Sequence, residues 1–367
     1  MQVRTDRTVN FNWIFALPHP ALDANCFSVV WTGSVVMPRT MDGCIGLSTQ
    51  DSMRLYVDDK LLIDGWGKDK SADQALDFHF EAGRTYKIRI EFVNDRRGAR
   101  VIFGYSAGRE NFPAAVEAAR KADVAILCMG DNEETSGENF DRTDLNLPGR
   151  QLELVQAVYA TGTPVVLVLQ SGRPVTANWE NDHLPAILEA WFPGEQGGTA
   201  IAKTLFGNAA PGGRLPITFP RSVGQIPCHY SRRPGGGKRY VEMDWLPLYP
   251  FGYGLTYTTF AYRDMALSRS VIDPQDTVTV SVTVTNTGKY TGDAVPQLYV
   301  RDMFSSVVKP ERQLAAFRRL TLAPGESRRV ELTVGPKQLR TLGPDYVWRV
   351  EPGKFELQLG DNAENIL

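Results

Sequence analysis

Apolar and polar residues alternate along "FSVVWTGSVV" (27–36), "RLYVDDKLLID" (54–64) and "TYKIRIEFVND" (85–95). A period of two is the mark of half-buried strands, and the Gly, Asp and Asn residues between these runs break them. "VDDKL" joins two apolar runs as a hairpin turn, a role for which Asp58 and Asp59 are well suited. Residues 1–108 therefore read as an all-β module. From about residue 109 the period changes. "FPAAVEAARKA" (112–122) has apolar positions at helical spacing with Pro113 near its start, and "DVAILCMG" (123–130) follows as an unbroken apolar run. Such a run predicts a strand buried on both faces. "GRQLELVQAVYATG" (149–162) predicts a second helix stopped by Gly162. "PVVLVLQSG" (164–172) and "PAILEAWF" (185–192) predict two more strands, and "EQGGTAIAKTLFG" (195–207) a third helix. Strands alternating with helices imply βαβ units and a mainly parallel sheet over 109–230. Three strands make a thin sheet for this layout, so further strands are expected upstream of residue 1.

Beyond residue 260 the period returns to two. "DTVTVSVTVTNTG", "AVPQLYVRD", "SRRVELTV" and "GKFELQLGD" are separated by turn clusters such as "APGES" and "EPGK", the pattern of a β-sandwich. Residues 231–259, rich in Gly, Pro and Tyr, are too aromatic for a flexible linker and read as an ordered connector.

Composition narrows the function classes. The 367 residues are 43% hydrophobic and 22% charged with a formal charge of −2, an ordinary globular balance. Without a basic excess there is no case for a nucleic-acid partner. No run approaches the ~18 apolar residues of a membrane span. The opening "MQVRTDRTVNFNWIF" has no apolar signal region, and the compartment is left open. The four cysteines, Cys26, Cys44, Cys128 and Cys228, form no CxxC pair, and the four histidines are dispersed, so no metal is expected. A Cys26–Cys44 disulfide is one reading and reduced core thiols the other. No cofactor is expected, because neither GxxxxGK[ST] nor a GxGxxG after a strand is present.

In parallel sheets, ligands collect at the carboxyl ends of the strands. The loop after "DVAILCMG" carries Asp131, Glu133, Glu134, Glu138 and Asp141. By composition alone this is a solvated acidic surface, but Gly137 beside Glu138 gives the backbone freedom to aim one side chain. Asp141 and Arg142 offer a local ion pair to hold the loop's shape. Trp66 and Trp31 have faces able to stack on sugar rings, and bulk equally suited to a core. Trp179, Trp191 and Phe192 flank strand ends, with the same two roles open.

"GENFDRTDLNLPGRQ", "VVLVLQSGRPVTANW", "PAILEAWFPGEQGGTAIAKTLFGNAAPGGRLPITFP" and "PLYPFGYGLTYTTF", in this order, resemble the C-terminal part of a glycoside hydrolase family 3 enzyme. "VTVTNTG", "PQLYVRD" and "LAPGES" resemble that family's fibronectin type III-like domain, and "STQDSMRLYVDDKLLIDGW" with "FEAGRTYKIRIEF" resembles an inserted PA14 β-sandwich. The implied fold is multidomain α/β plus all-β: PA14-like over 1–108, a partial α/β sandwich over 109–230, the connector over 231–259, and the fibronectin-like domain over 260–367. The implied activity is retaining hydrolysis of terminal β-linked sugars, glucose first, from an oligosaccharide or aryl β-glycoside. Glu138 in "SGENFDR" matches the family's general acid/base, with Glu134 as second choice; Asn139 stands where glycine is frequent. The resemblance implies that the nucleophilic aspartate lies on a (β/α)8 barrel, and no eightfold strand–helix repeat exists here. Asp244 in "MDW" lies in the connector and is not assigned that role. The barrel is thus an expected partner, in cis or in trans, and the chain alone is expected to be inactive. The alternative is a non-catalytic carbohydrate-binding or scaffold module that uses Trp66.

Overall fold

A computed structural model describes residues 3–13, 17–23, 25–49, 51–67, 74–95, 99–107, 112–235 and 239–367. The chain divides into two compact units, residues 1–113 and 114–367; the boundary expected at 108/109 lies outside the described residues.

The first unit holds β1 (Asn10–Asn12), β2 (Phe27–Val36), β3 (Met41–Thr49), β4 (Ser52–Val57), β5 (Lys60–Asp64), β6 (Gln74–Phe80), β7 (Thr85–Asn94) and β8 (Arg100–Ala107). They form two antiparallel sheets, in the orders β1-β8-β3-β6 and β2-β7-β4-β5. The alternating runs read in the sequence all fall in the second sheet, and β1, β3, β6 and β8 of the first were not anticipated. Ile45, Leu47 and Phe80 from one sheet share a core with Met53, Leu55, Ile63, Tyr86, Ile88 and Ile90 from the other. The β4–β5 turn is the one expected, with Asp58 and Asp59 both at positive φ (51° and 63°). The Asp58 carboxylate accepts the Lys87 N–H at 2.9 Å and pairs with Arg84 at 2.9 Å, so it closes the turn. Trp31 is half-buried and packs against the core: it stacks with Phe11 and Trp13, and its indole N–H donates to Asp6 at 3.0 Å.

The unit boundary falls after the first residue of α1 (Pro113–Arg120), and the second unit continues with β9 (Ala125–Gly130), α2 (Gln151–Tyr159), β10 (Val165–Gln170), α3 (Asn178–His183), β11 (Ala186–Glu189) and α4 (Gly197–Leu205). The strands form a parallel sheet ordered β11-β10-β9. β10 carries Val165, Leu167, Val168 and Leu169, all buried, as the unbroken apolar run predicts. β9 departs from its prediction. Leu127 and Met129 pack on the core, while Ile126 is 44% exposed and Cys128 is exposed. It is an edge strand among the described residues, and the face that carries Ile126 and Cys128 is exposed. Short α3 was not anticipated, because "NWENDH" has too few apolar positions for a helical stripe. No disulfide joins the four cysteines, and none of them is a core residue: Cys26 and Cys128 are exposed, Cys44 and Cys228 half-buried. Cys44 faces outward because alternation along β3 turns Ile45 and Leu47 inward.

After α4 the chain runs through the connector into β12 (Phe260–Leu267), β13 (Val278–Asn286), β14 (Gly292–Ala294), β15 (Gln297–Asp302), β16 (Gln313–Phe317), β17 (Leu320–Leu322) and β18 (Ser327–Val334). Then follow α5 (Pro336–Leu339), β19 (Thr341–Leu342), β20 (Trp348–Arg349) and β21 (Phe355–Gly360). Sheet β12-β13-β18 shares one core with sheet β16-β15-β21 and the β14-β17 pair, through Val280, Val282, Val284, Leu298, Leu322, Val330 and Leu359. Gln297 ties this sandwich to the connector. Its amide donates to Gly252 O at 3.0 Å and Asp361 O at 2.5 Å, and its oxygen accepts from Tyr299 at 2.6 Å.

Candidate active site

Strands β9, β10 and β11 are parallel, so their carboxyl ends, Gly130, Gln170 and Glu189, lie at one edge of the sheet. Gly130 has φ +139°, and a Cβ there would lie 1.9 Å from Gln170 O, so only glycine permits this register. Gln151, the first residue of α2, locks the same point: its amide donates to Gly130 O at 2.8 Å and its oxygen accepts Gly130 N–H at 2.7 Å. The loop that leaves this anchor is built by its own polar groups. The Asp131 carboxylate, 3% exposed, accepts from Thr135 at 2.9 Å and from Arg142 at 3.4 Å. Asn132 O receives the N–H groups of Thr135 and Ser136. Phe140 N–H donates to Gly137 O at 3.2 Å, closing a turn over Glu138 and Asn139, and Asn139 takes φ +63°. Asparagine tolerates that conformation well, which accounts for a residue other than glycine there.

Arg173, just past the end of β10, holds this turn from outside. One guanidinium nitrogen donates to Thr135 O at 3.2 Å and the other to Phe140 O at 3.3 Å. The two carbonyls bracket residues 136–139, so a planar fork fixes both ends of the segment that carries Glu138. Glu138 is exposed at the tip, and its side chain makes no hydrogen bond or ion pair among the described residues. Glu134, also exposed, lies outside the bracket; its N–H donates to Asn132 at 2.9 Å. The predicted Asp141–Arg142 pair is not formed. Arg142 bonds Asp131, Asp144 at 3.2 Å and Asn146 O at 2.9 Å, while Asp141 is exposed.

The third strand end adds a group that composition did not flag. Glu189 accepts Trp191 N–H at 2.9 Å through Oε1, and its Oε2 is enclosed without a partner among the described residues. Burial pushes this carboxyl up to about 7, against the pull of the Trp191 hydrogen bond. Trp191 takes φ +53° and packs edge-on against Phe219, and the next residue, Phe192, is left 56% exposed. The Phe192 ring and Ser136 Oγ both crowd Gly172, where a Cβ would lie 2.8 Å and 3.2 Å from them. The loops after all three strands thus meet at Gly172, and the first loop's Ser136 there lies two residues from Glu138 in sequence. Trp179 instead stacks on His183 at 4.3 Å and belongs to the packed side of the sheet. Asp244 lies in the connector, its carboxylate accepting Leu246 N–H at 3.0 Å. No group of three His, Cys, Asp or Glu side chains able to hold a metal occurs among the described residues. In the first unit, Trp66 is 38% exposed with the Arg54 guanidinium 4.6 Å over its ring.

Residues 27–257 match the glycosyl hydrolase family 3 C-terminal domain, and residues 294–363 match a fibronectin type III-like domain. The chain belongs to glycosyl hydrolase family 3. A beta-xylosidase of Formosa agariphila is 45% identical over 290 residues, covering 76% of this chain and 40% of the relative. The periplasmic beta-glucosidase of Salmonella typhimurium is 42% identical, covering 69% of this chain and 34% of the relative. Among solved structures, the beta-glucosidase of Kluyveromyces marxianus in complex with glucose superposes with a TM-score of 0.74 at 28% identity. That match covers 98% of this family 3 chain and 46% of the other. A b-glucosidase of Erythrobacter marinus gives 0.67 at 42% identity, covering 69% and 35%. The family 3 chain spans between 34% and 48% of the length of the curated relatives it matches. No helix in its described residues is long and apolar enough to cross a membrane.

Two of the groups that shape the site, Arg173 and Glu189, went unassigned in the sequence. Their one local signal is a charged residue at, or just past, the end of an apolar run.

Proposed function

We propose that this chain supplies the proton-transfer half of a retaining β-glycosidase, with Glu138 as general acid and then general base. The observation that carries this reading is the Arg173 bracket, which presents an exposed, uncommitted carboxylate at the carboxyl edge of a parallel sheet. As acid, Glu138 protonates the departing glycosidic oxygen; as base, it takes a proton from the water that releases the sugar. Such chemistry needs a second carboxyl group ~5–5.5 Å away to attack the anomeric carbon. We assign that aspartate to a barrel outside these 367 residues, which accords with relatives of about twice this length. Relatives named beta-glucosidase and beta-xylosidase support a terminal β-linked glucose or xylose as the sugar released.

The first unit we read as a PA14-like insertion, the domain bounds being those expected from the sequence. Its two four-stranded antiparallel sheets suit that fold. Residues 114–367 make up about 69% of the chain, the same share that the Erythrobacter marinus structure covers. The other reading, a sugar-binding module centred on Trp66, draws on that ring's partial exposure. Calorimetric titration with cello-oligosaccharides, comparing wild type with Trp66→Ala, separates the two.

The deciding experiment is turnover of an aryl β-glucoside. The purified chain alone should show none. Complemented by a barrel-bearing chain it should turn over, Glu138→Ala should abolish the activity, and azide should restore it by attacking the glycosyl intermediate in place of activated water. Turnover by the chain alone that is lost in Glu138→Gln would overturn the division of labour. A fully active complemented Glu138→Ala would overturn the role of Glu138.

A further inference from the structure

A cavity of about 270 Å³ opens in the connector, lined by none of the residues of the Glu138 loop. Its walls are fixed by the fold. The Tyr230 ring stacks on Phe251 at 4.1 Å, and the Tyr230 hydroxyl accepts Leu314 N–H at 3.2 Å, pinning the wall to β16. Arg232 pairs with Glu311 at 2.9 Å and Glu364 at 3.2 Å, and its guanidinium lies 4.4 Å over the Trp245 ring. With two carboxylates on it, Arg232 brings no net positive charge to the cavity. Trp245 remains 41% exposed.

The polar groups around this ring are available. The side chains of His229 and Ser231 and the Trp245 indole N–H have no hydrogen-bond partner among the described residues. Tyr240 donates to Gly224 O at 3.0 Å, which leaves its oxygen free to accept. With Arg232 over one face of the ring, the exposed remainder of Trp245, beside several short-reach donors and acceptors and with the Arg232 charge internally neutralised, suits a ligand with an apolar face and a rim of hydroxyls. The volume lies just below the ~300–1,000 Å³ typical of drug-sized ligands, enough for one ring rather than a chain.

We infer that this cavity binds one neutral pyranose unit of a glycan, stacked on Trp245. It is a second sugar contact, and binding here does not depend on the role of Glu138. Titrating the 367-residue chain with cellobiose or xylobiose should give a saturable change in tryptophan fluorescence, with a Kd on the order of 1 mM. Amide hydrogen exchange should slow over 227–233 and 239–251. Trp245→Ala should weaken binding about tenfold. Trp348→Ala, which removes an exposed indole elsewhere in the same unit, should leave it unchanged. Equimolar inorganic phosphate should not compete, because among the described residues Arg233 is the single lining arginine without a carboxylate partner, and one guanidinium is a weak phosphate site. Should Trp245→Ala fail to fold, Ser231→Ala and the exchange map of the wild type decide the matter. Absent saturation, protection confined to other segments, or displacement by phosphate would each overturn the assignment.

Discussion

Asn286 and Glu189 both end strands, and they show opposite treatments of a buried polar group. In the fibronectin-like sandwich Asn286 is fully enclosed, and every bonding position of its amide is used. It accepts from Thr258 at 2.6 Å and Gly288 at 3.0 Å, and donates to Tyr290 O at 2.8 Å and Leu322 O at 2.9 Å. At the end of β11, Glu189 receives one hydrogen bond and leaves one oxygen enclosed without a partner. A satisfied amide specifies a structure, while a half-satisfied carboxyl stores a cost that responds to pH. The same contrast holds between the bodies that carry them. The sandwich closes its core from its own sheets, whereas the parallel sheet buries β10 and leaves one face of β9 exposed.

The largest test of that contrast is Asn286→Leu, which strips four partners at once. It should cost about 2–4 kcal/mol, read as a lower urea midpoint for the second unit. A loss under about 0.5 kcal/mol would mean that the network is ornamental.

Glu189→Gln comes next and should act through pH. Burial makes the folded chain hold the Glu189 proton more tightly than the unfolded chain does. Its contribution to stability is therefore full below about pH 4.5 and is lost as pH rises through 7. The variant should flatten that part of the profile, by on the order of 1–3 kcal/mol between its ends. Parallel profiles for variant and wild type would refute the buried-acid description.

Arg173→Lys probes the bracket around Glu138. A lysine cannot span both carbonyls, so stability should fall by about 1 kcal/mol or less. In a barrel-complemented enzyme kcat should fall by roughly tenfold or more, with KM little changed, because the proton donor is misaimed. An unaltered kcat would detach Arg173 from the site. The smallest effect belongs to Ile126→Thr on the open face of β9. It should stay within about 0.5 kcal/mol, and a larger loss would show that this face is covered in solution.

The sequence by itself determined what is local and periodic. Alternation placed β2, β4, β5 and β7 of the first unit and β13, β15, β18 and β21 of the sandwich, though not the strands paired beside them, and the unbroken run of β10 announced a buried parallel strand. "VDDKL" specified a hairpin turn, and "SGENFDR" put Glu138 in a strand-end loop. Only the tertiary structure decided which distant groups meet. Arg173 reaches carbonyls 33 and 38 positions away, and Arg142 passes over its neighbour Asp141 for Asp131 and Asp144. Glu364 returns from the end of the sandwich to complete the cavity around Trp245. Hydrophobic burial repeats with the geometry of each element, so it can be read along the chain. Charge pairing, desolvation and cavity shape depend on how the chain folds back on itself, and no window of neighbouring residues contains that information.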